Sequence, residues 1–92
     1  MPVLSEAEIS AALRQLPGWE SGGNAIVKQF TFDDFMGSVG FVNRVAEPAE
    51  EMNHHPDLAI SWNTVTVTLS THSAGGVTDN DLRLATEVDR RA

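Results

Sequence analysis

Glu50, His54, His55, His72 and Asp81 are the side chains whose types and spacing suit chemistry in this sequence. All three histidines fall between Glu50 and Asp81, and imidazole is the side chain whose unperturbed pKa lies near neutrality. Imidazoles beside carboxylates are the equipment of general acid–base proton transfer. Glu50 and His54 are four residues apart, so on a helix they share a face and can hydrogen-bond directly. An isolated Glu-x-x-x-His is more often a solvated pair whose histidinium complements the helix C-terminus. Here His55-Pro56 follows at once and sets a second imidazole at a rigid exit, which favours a site. Taken singly, His72 reads as a surface strand residue, Asp81 as a helix cap, His55 as a capping or packing residue, and Trp19 and Trp62 as core aromatics.

The elements that must position these residues come from the periodicity. Ser5-x-x-Glu8 is a capping box with Leu4 and Ile9 as its staple, so a helix starts at Ser5 or Glu6 and buries Ile9, Ala12, Leu13 and Leu16 before Pro17-Gly18. Trp19 opens a short segment, Gly22-Gly23-Asn24 supplies a turn, and Ile26 to Phe32 alternates with Ile26, Phe30 and Phe32 on one face: a β-hairpin. Asp33 or Asp34 caps the next helix, whose apolar stripe is read as Phe35, Val39, Val42, Ala46 and Ala49. Pro48 removes a backbone donor and clashes with the Arg44 carbonyl, so a kink or a break is expected there. Pro56 biases His55 away from helical geometry and ends the helix around His54.

Leu58 and Ile60 suggest a short strand. Trp62 to His72 then alternates, with Val65, Val67 and Leu69 on one face and Thr64, Thr66, Thr68, Ser70 and His72 on the other. Thr78-x-x-Asp81, stapled by Val77 and Leu82, starts a last helix carrying Leu82, Ala85 and Val88. The order α-β-β-α-β-β-α makes an α+β sandwich with helices on one face of the sheet.

Ninety-two residues make one domain, 1–92, with a small core, so association into a dimer or larger assembly is expected. A net charge of −7 and scattered basic residues argue against nucleic-acid binding. The chain has no cysteine, which removes thiolate chemistry and suits a reducing compartment. The N-terminus has no basic region with a long apolar run, and no later stretch approaches a membrane span. A soluble cytoplasmic protein is the expectation.

At these residues the sequence closely resembles the pterin-4a-carbinolamine dehydratases. That family's signature is Glu-x-x-x-His-His-Pro, an aromatic residue six positions after the Pro, a Thr-His ending the next strand, and an Asp nine residues beyond that His. Glu50, His54, His55, Pro56, Trp62, Thr71-His72 and Asp81 stand at those spacings. The resemblance runs outward through Gly18-Trp19, Lys28-Gln29-Phe30, Phe32, Phe35, Gly40-Phe41, Arg44-Val45-Ala46 and Leu69-Ser70, and Pro48 departs from it.

The resemblance implies a four-stranded antiparallel sheet and a hydro-lyase acting on 4a-hydroxytetrahydrobiopterin in tetrahydrobiopterin recycling. No metal or organic cofactor is implied. It implies His54, His55 and His72 as catalytic residues, with His54 and His72 as the acid/base pair and His55 mainly binding. Glu50 orients His54, and Asp81 polarises or positions a histidine. His55, Pro56, Thr71 and Trp62 line the substrate site. Homodimers or homotetramers are implied, together with an aromatic amino-acid hydroxylase as pathway partner.

Two rival readings stand beside this. A hydrolytic metal site from Glu50, His54, His72 and Asp81 has suitable ligand types but lacks the His-x-x-x-His spacing of helix-borne zinc. A non-enzymatic binding, dimerisation or assembly role is open to any fold of this kind.

Overall fold

The computed structural model describes residues 2–92. The chain runs α1 (Glu6–Leu13), β1 (Glu20–Gly22), β2 (Ala25–Thr31), α2 (Phe35–Met52), β3 (Asp57–Ser61), β4 (Thr64–Leu69) and α3 (Asp79–Arg91). All neighbouring strands are antiparallel, in the order β1-β2-β4-β3. Ser5 caps α1 through the expected reciprocal bonds with Glu8, at 2.8 and 3.1 Å. Hydrogen bonding with the Ser5 backbone N–H first, and with the Ser5 side chain second, holds the Glu8 carboxyl below its ordinary value of 4.5. Gly23, at φ 62°, turns β1 into β2 as a residue without a Cβ can.

Alternation along β4 sends Val65, Val67 and Leu69 into the core and leaves the threonines on the open face. Those three meet Ile26 and Phe30 of β2, Phe41 and Val45 of α2, and Leu84, Ala85 and Val88 of α3. The core therefore fills the layer between the sheet and the helices. Trp19 is buried there, with its Nε1 donating to the Asp89 carboxylate at 3.2 Å. Lys28 Nζ donates to the same carboxylate and to the Pro17 carbonyl, both at 2.9 Å, fastening the α1–β1 connection to the end of α3.

Three expectations change. The core-facing stripe of α2 is Ser38, Phe41, Val45, Pro48 and Ala49, while Phe35 and Ala46 are exposed. Both stripes step by three and four residues, so periodicity does not separate them. Ser38 sits inward because its hydroxyl donates to the Trp62 carbonyl at 2.8 Å. Of the kink or break expected at Pro48 the break does not occur, since α2 continues through it to Met52 with the ring buried. The last strand spans Thr64–Leu69 rather than Trp62 to His72. Trp62-Asn63 is instead the hairpin turn, with Ser61 paired to Thr64 and Trp62 at φ 52°. Trp62 is no core aromatic; it is 67% exposed.

Candidate active site

Two segments build a cleft of about 370 Å³: Asn53 to Asp57, where α2 passes into β3, and Ser70 to Ser73, where the chain leaves β4. Asn53 sets the first. It ends α2 in the left-handed conformation (φ 48°, ψ 44°), its N–H donates to the Glu50 carbonyl at 3.1 Å, and the His54 N–H donates to the Ala49 carbonyl at 3.0 Å. This is a Schellman closure, with asparagine where glycine is commoner. It lifts His54 and His55 off the helix. The second segment is closed by the Thr71 N–H donating to the Gly76 carbonyl at 2.8 Å, with Gly75 at φ 78°.

His54 and Glu50 are not partners. His54 Nε2 lies 2.5 Å from Asp81 Oδ1, and Glu50 Oε1 lies 2.7 Å from His55 Nε2. The αL turn at Asn53 explains the exchange: past it the 100° helical step no longer applies, so the four-residue spacing fails and His55 swings back over Glu50. His72 is exposed, with Nε2 3.9 Å from Asp57 Oδ2. Each imidazole therefore has its own carboxylate.

The His54 pair differs from the others in burial. Asp81 is fully buried and His54 nearly so, whereas both members of the His55–Glu50 and His72–Asp57 pairs are exposed. Asp81 Oδ2 also accepts from Thr71 Oγ1 at 2.8 Å and from the Thr78 N–H at 2.9 Å, the latter bond closing the first turn of α3. A carboxylate only accepts hydrogen bonds, so His54 Nε2 is the donor. Nδ1 is then the lone-pair nitrogen. Among the described residues it has no partner, and since none of their buried side-chain nitrogens or oxygens lacks one, Nδ1 is open to solvent.

Of the residues expected at the site, His54, His55, Pro56, Thr71 and His72 line the cleft. Asp81 stands behind it, and Glu50 reaches its rim through His55. Trp62 does not belong to it. β3 separates them by roughly 15 Å, at about 3.3 Å of rise per residue from Asp57. Thr71 is 8% exposed and spends its hydroxyl on Asp81, so it faces inward rather than towards a ligand. Its parity with Val65, Val67 and Leu69 carries that signal in the sequence. Asp57, Asn53, Ser70 and Ser73 also line the cleft and were not anticipated; the asparagine directly after a helix was the readable cue. Among the described residues, no three His, Asp or Glu side chains are grouped so as to hold a metal ion. Nor is any helix among them long and apolar enough to cross a membrane.

Fold and cleft together define a two-layer α+β domain with histidine–carboxylate pairs at the end of its sheet. The family pattern described as Pterin 4 alpha carbinolamine dehydratase matches residues 2–91, and the chain belongs to that family. A relative in Thermosynechococcus vestitus bearing the family's name is 53% identical over 97% of this chain and 94% of its own length. One in Mycobacteroides abscessus is 49% identical over 97% and 95%. The crystal structure of a transcriptional coactivator/pterin dehydratase from Brucella melitensis is similar at a TM-score of 0.92 and 41% identity, covering 98% of both chains. A pterin dehydratase-like protein described as a RuBisCO assembly factor shares the fold at a TM-score of 0.66 and 21% identity, over 80% of this chain and 86% of that one.

Proposed function

We propose that the protein is a dehydratase that removes water from 4a-hydroxytetrahydrobiopterin to give quinonoid dihydrobiopterin. The observation that carries this reading is the His54–Asp81 pair, buried and oriented, with the free Nδ1 open to solvent on a residue lining a cleft shared with His55 and His72. The volume lies within the roughly 300–1,000 Å³ typical of small-molecule sites.

In the reaction the N5–H proton passes to a base and the N5 electrons form the C4a=N5 bond. The C4a–O bond breaks, and an acid protonates the departing hydroxide to water. His54 and His72, on the two segments of the cleft, supply that base and acid, and His55 with Glu50 binds the pterin. Such proton transfers are typically worth about 10²–10⁴-fold. The test is to generate the carbinolamine with a pterin-dependent aromatic amino-acid hydroxylase and follow the quinonoid product. Acceleration over buffer at micromolar protein is expected; its absence refutes the reading.

A protein-binding role is favoured by a different observation. Phe35 (52% exposed), Met36 (72%) and Trp62 form an uncovered apolar set on the start of α2 and the β3–β4 turn, which the Ser38–Trp62 bond ties together. We take the occupant to be a second copy, because a domain this small has little core to spare. Sedimentation at micromolar concentration should give a dimer or tetramer that Trp62→Lys weakens; a stable monomer with full activity would refute it.

A further inference from the structure

We propose that the hydroxyls of Thr78 and Thr71 form a buried donor chain that fixes the carboxylate plane of Asp81 and, through it, the ring of His54. Both threonines are then positioning residues of the site. The inference deepens the proton-transfer reading and rests on it for its kinetic arm alone.

Proton accounting gives the chain its direction. Thr71 Oγ1 lies 2.8 Å from Asp81 Oδ2, and a carboxylate only accepts, so the single Thr71 hydroxyl proton is committed there. In the 2.7 Å contact between Thr71 Oγ1 and Thr78 Oγ1, Thr78 must therefore donate. The order is Thr78 to Thr71 to Asp81, each link polarising the next in a site of low dielectric. The Thr78 backbone N–H adds a second donor to the same Oδ2. Two donors converging on Oδ2 hold the carboxylate against rotation about its Cβ–Cγ bond, a torsion that is otherwise broad. Oδ1 is thereby left aimed at His54 Nε2.

Thr78 is fully buried and is not among the residues lining the cleft, so it has no route to a ligand. A threonine serving only as a helix cap would not need its hydroxyl on Thr71. That hydroxyl instead links the start of α3 to the segment that carries His72.

Thr78→Val keeps the shape and the Thr78 N–H bond to Asp81 and removes the hydroxyl, which is the first donor of the chain and the capping-box acceptor for the Asp81 N–H. In substrate-free protein at alkaline pH, the His54 Nε2 proton should give a far-downfield, slowly exchanging resonance. In Thr78→Val that resonance should shift upfield or be lost to exchange, and Thr78→Ser should restore it. Turnover should fall about 10- to 100-fold in Thr78→Val, as expected when a catalytic group is misplaced by a fraction of an ångström to 1 Å. KM should stay within about twofold, because uniform binding is untouched. A folded Thr78→Val with an unchanged resonance overturns the proposal. Should Thr78→Val not fold, Thr71→Val is read by the same resonance with the same two outcomes. An inactive wild-type protein whose resonance responds as described would refute the dehydration reading and still support the chain.

Discussion

Replacing Asp81 by asparagine changes one atom and should reverse the chemistry of His54. The amide must still accept from the Thr78 N–H and Thr71 Oγ1, at 2.9 and 2.8 Å in the wild type, so its oxygen takes the Oδ2 place. The NH₂ group then faces His54 Nε2, where the carboxylate stood at 2.5 Å. An amide nitrogen only donates, so Nε2 becomes the acceptor and the proton moves to Nδ1. The nitrogen open to solvent changes from a lone pair to an N–H, and it can no longer accept a proton. The same replacement behind a triad histidine lowers kcat about 10⁴-fold through the wrong tautomer. We expect about 10³–10⁴-fold here, or about 4–5.5 kcal/mol at 1.36 kcal/mol per tenfold. KM should hold within about threefold, because Asp81 is fully buried behind the cleft. The hydrogen bonds survive in number but lose their charge assistance, a cost of about 1–2 kcal/mol. Against a total of roughly 5–14 kcal/mol for a chain of this length, the variant stays folded. Stopped-flow assay of the carbinolamine at saturation, with a thermal scan of the same sample, measures both. A folded Asp81→Asn with turnover within about threefold of wild type refutes the tautomer argument.

Glu50→Gln should act through His55: KM rises several-fold, kcat stays within about twofold, and the double variant with His55→Ala is no worse than His55→Ala alone. Behaviour matching His54→Ala instead would restore Glu50 as the partner of His54. Pro48→Ala should raise the thermal midpoint, since an interior proline costs up to about 3 kcal/mol and only the packing of its buried ring offsets the gain. A lower midpoint would show that this packing outweighs the restored donor. The lowered folded value of Glu8 lies below its unfolded one, so its capping contribution is present above about pH 4.5 and is lost as pH falls through the folded value. Amide exchange from Ser5 to Ile9 should rise over that acid window before the rest of the fold opens. Glu8→Gln should abolish the dependence, and an unchanged acid profile in that variant would refute it.

Both capping boxes were legible because each is a local contract between residues three apart, and the structure keeps the reciprocal bonds at Ser5 and Glu8 and the Thr78–Asp81 bond. The strands of the second hairpin were legible for the same local reason, alternation. What periodicity missed were choices made by contacts distant in sequence. The inward turn of α2 is decided by Ser38 meeting the carbonyl of Trp62. The exchange of histidine partners is decided by one αL residue, Asn53, which carries no apolar signal. Trp62 falls in with the alternation of the strand that follows it, yet its φ of 52° makes it half of a turn whose readable half is Asn63. The residues of the cleft could thus be named from spacing and resemblance, but which carboxylate serves which imidazole could not.

Trp19 and Trp62 give the protein two optical reporters that do not overlap. There are two tryptophans and no tyrosine, so near-ultraviolet emission comes from these indoles. Trp19 is 4% exposed, with its N–H held by Asp89, and its emission is blue-shifted and shielded from an aqueous quencher for as long as the end of α3 stays docked. Trp62 stands in solvent on the hairpin tip and emits to the red. An aqueous quencher therefore dims Trp62 in preference to Trp19, and the residual signal is weighted to unfolding of the layer between α1, β2 and α3. Without quencher, a concentration-dependent blue shift follows coverage of the α2 corner. One cuvette separates the loss of the fold from the assembly of its copies, without a label.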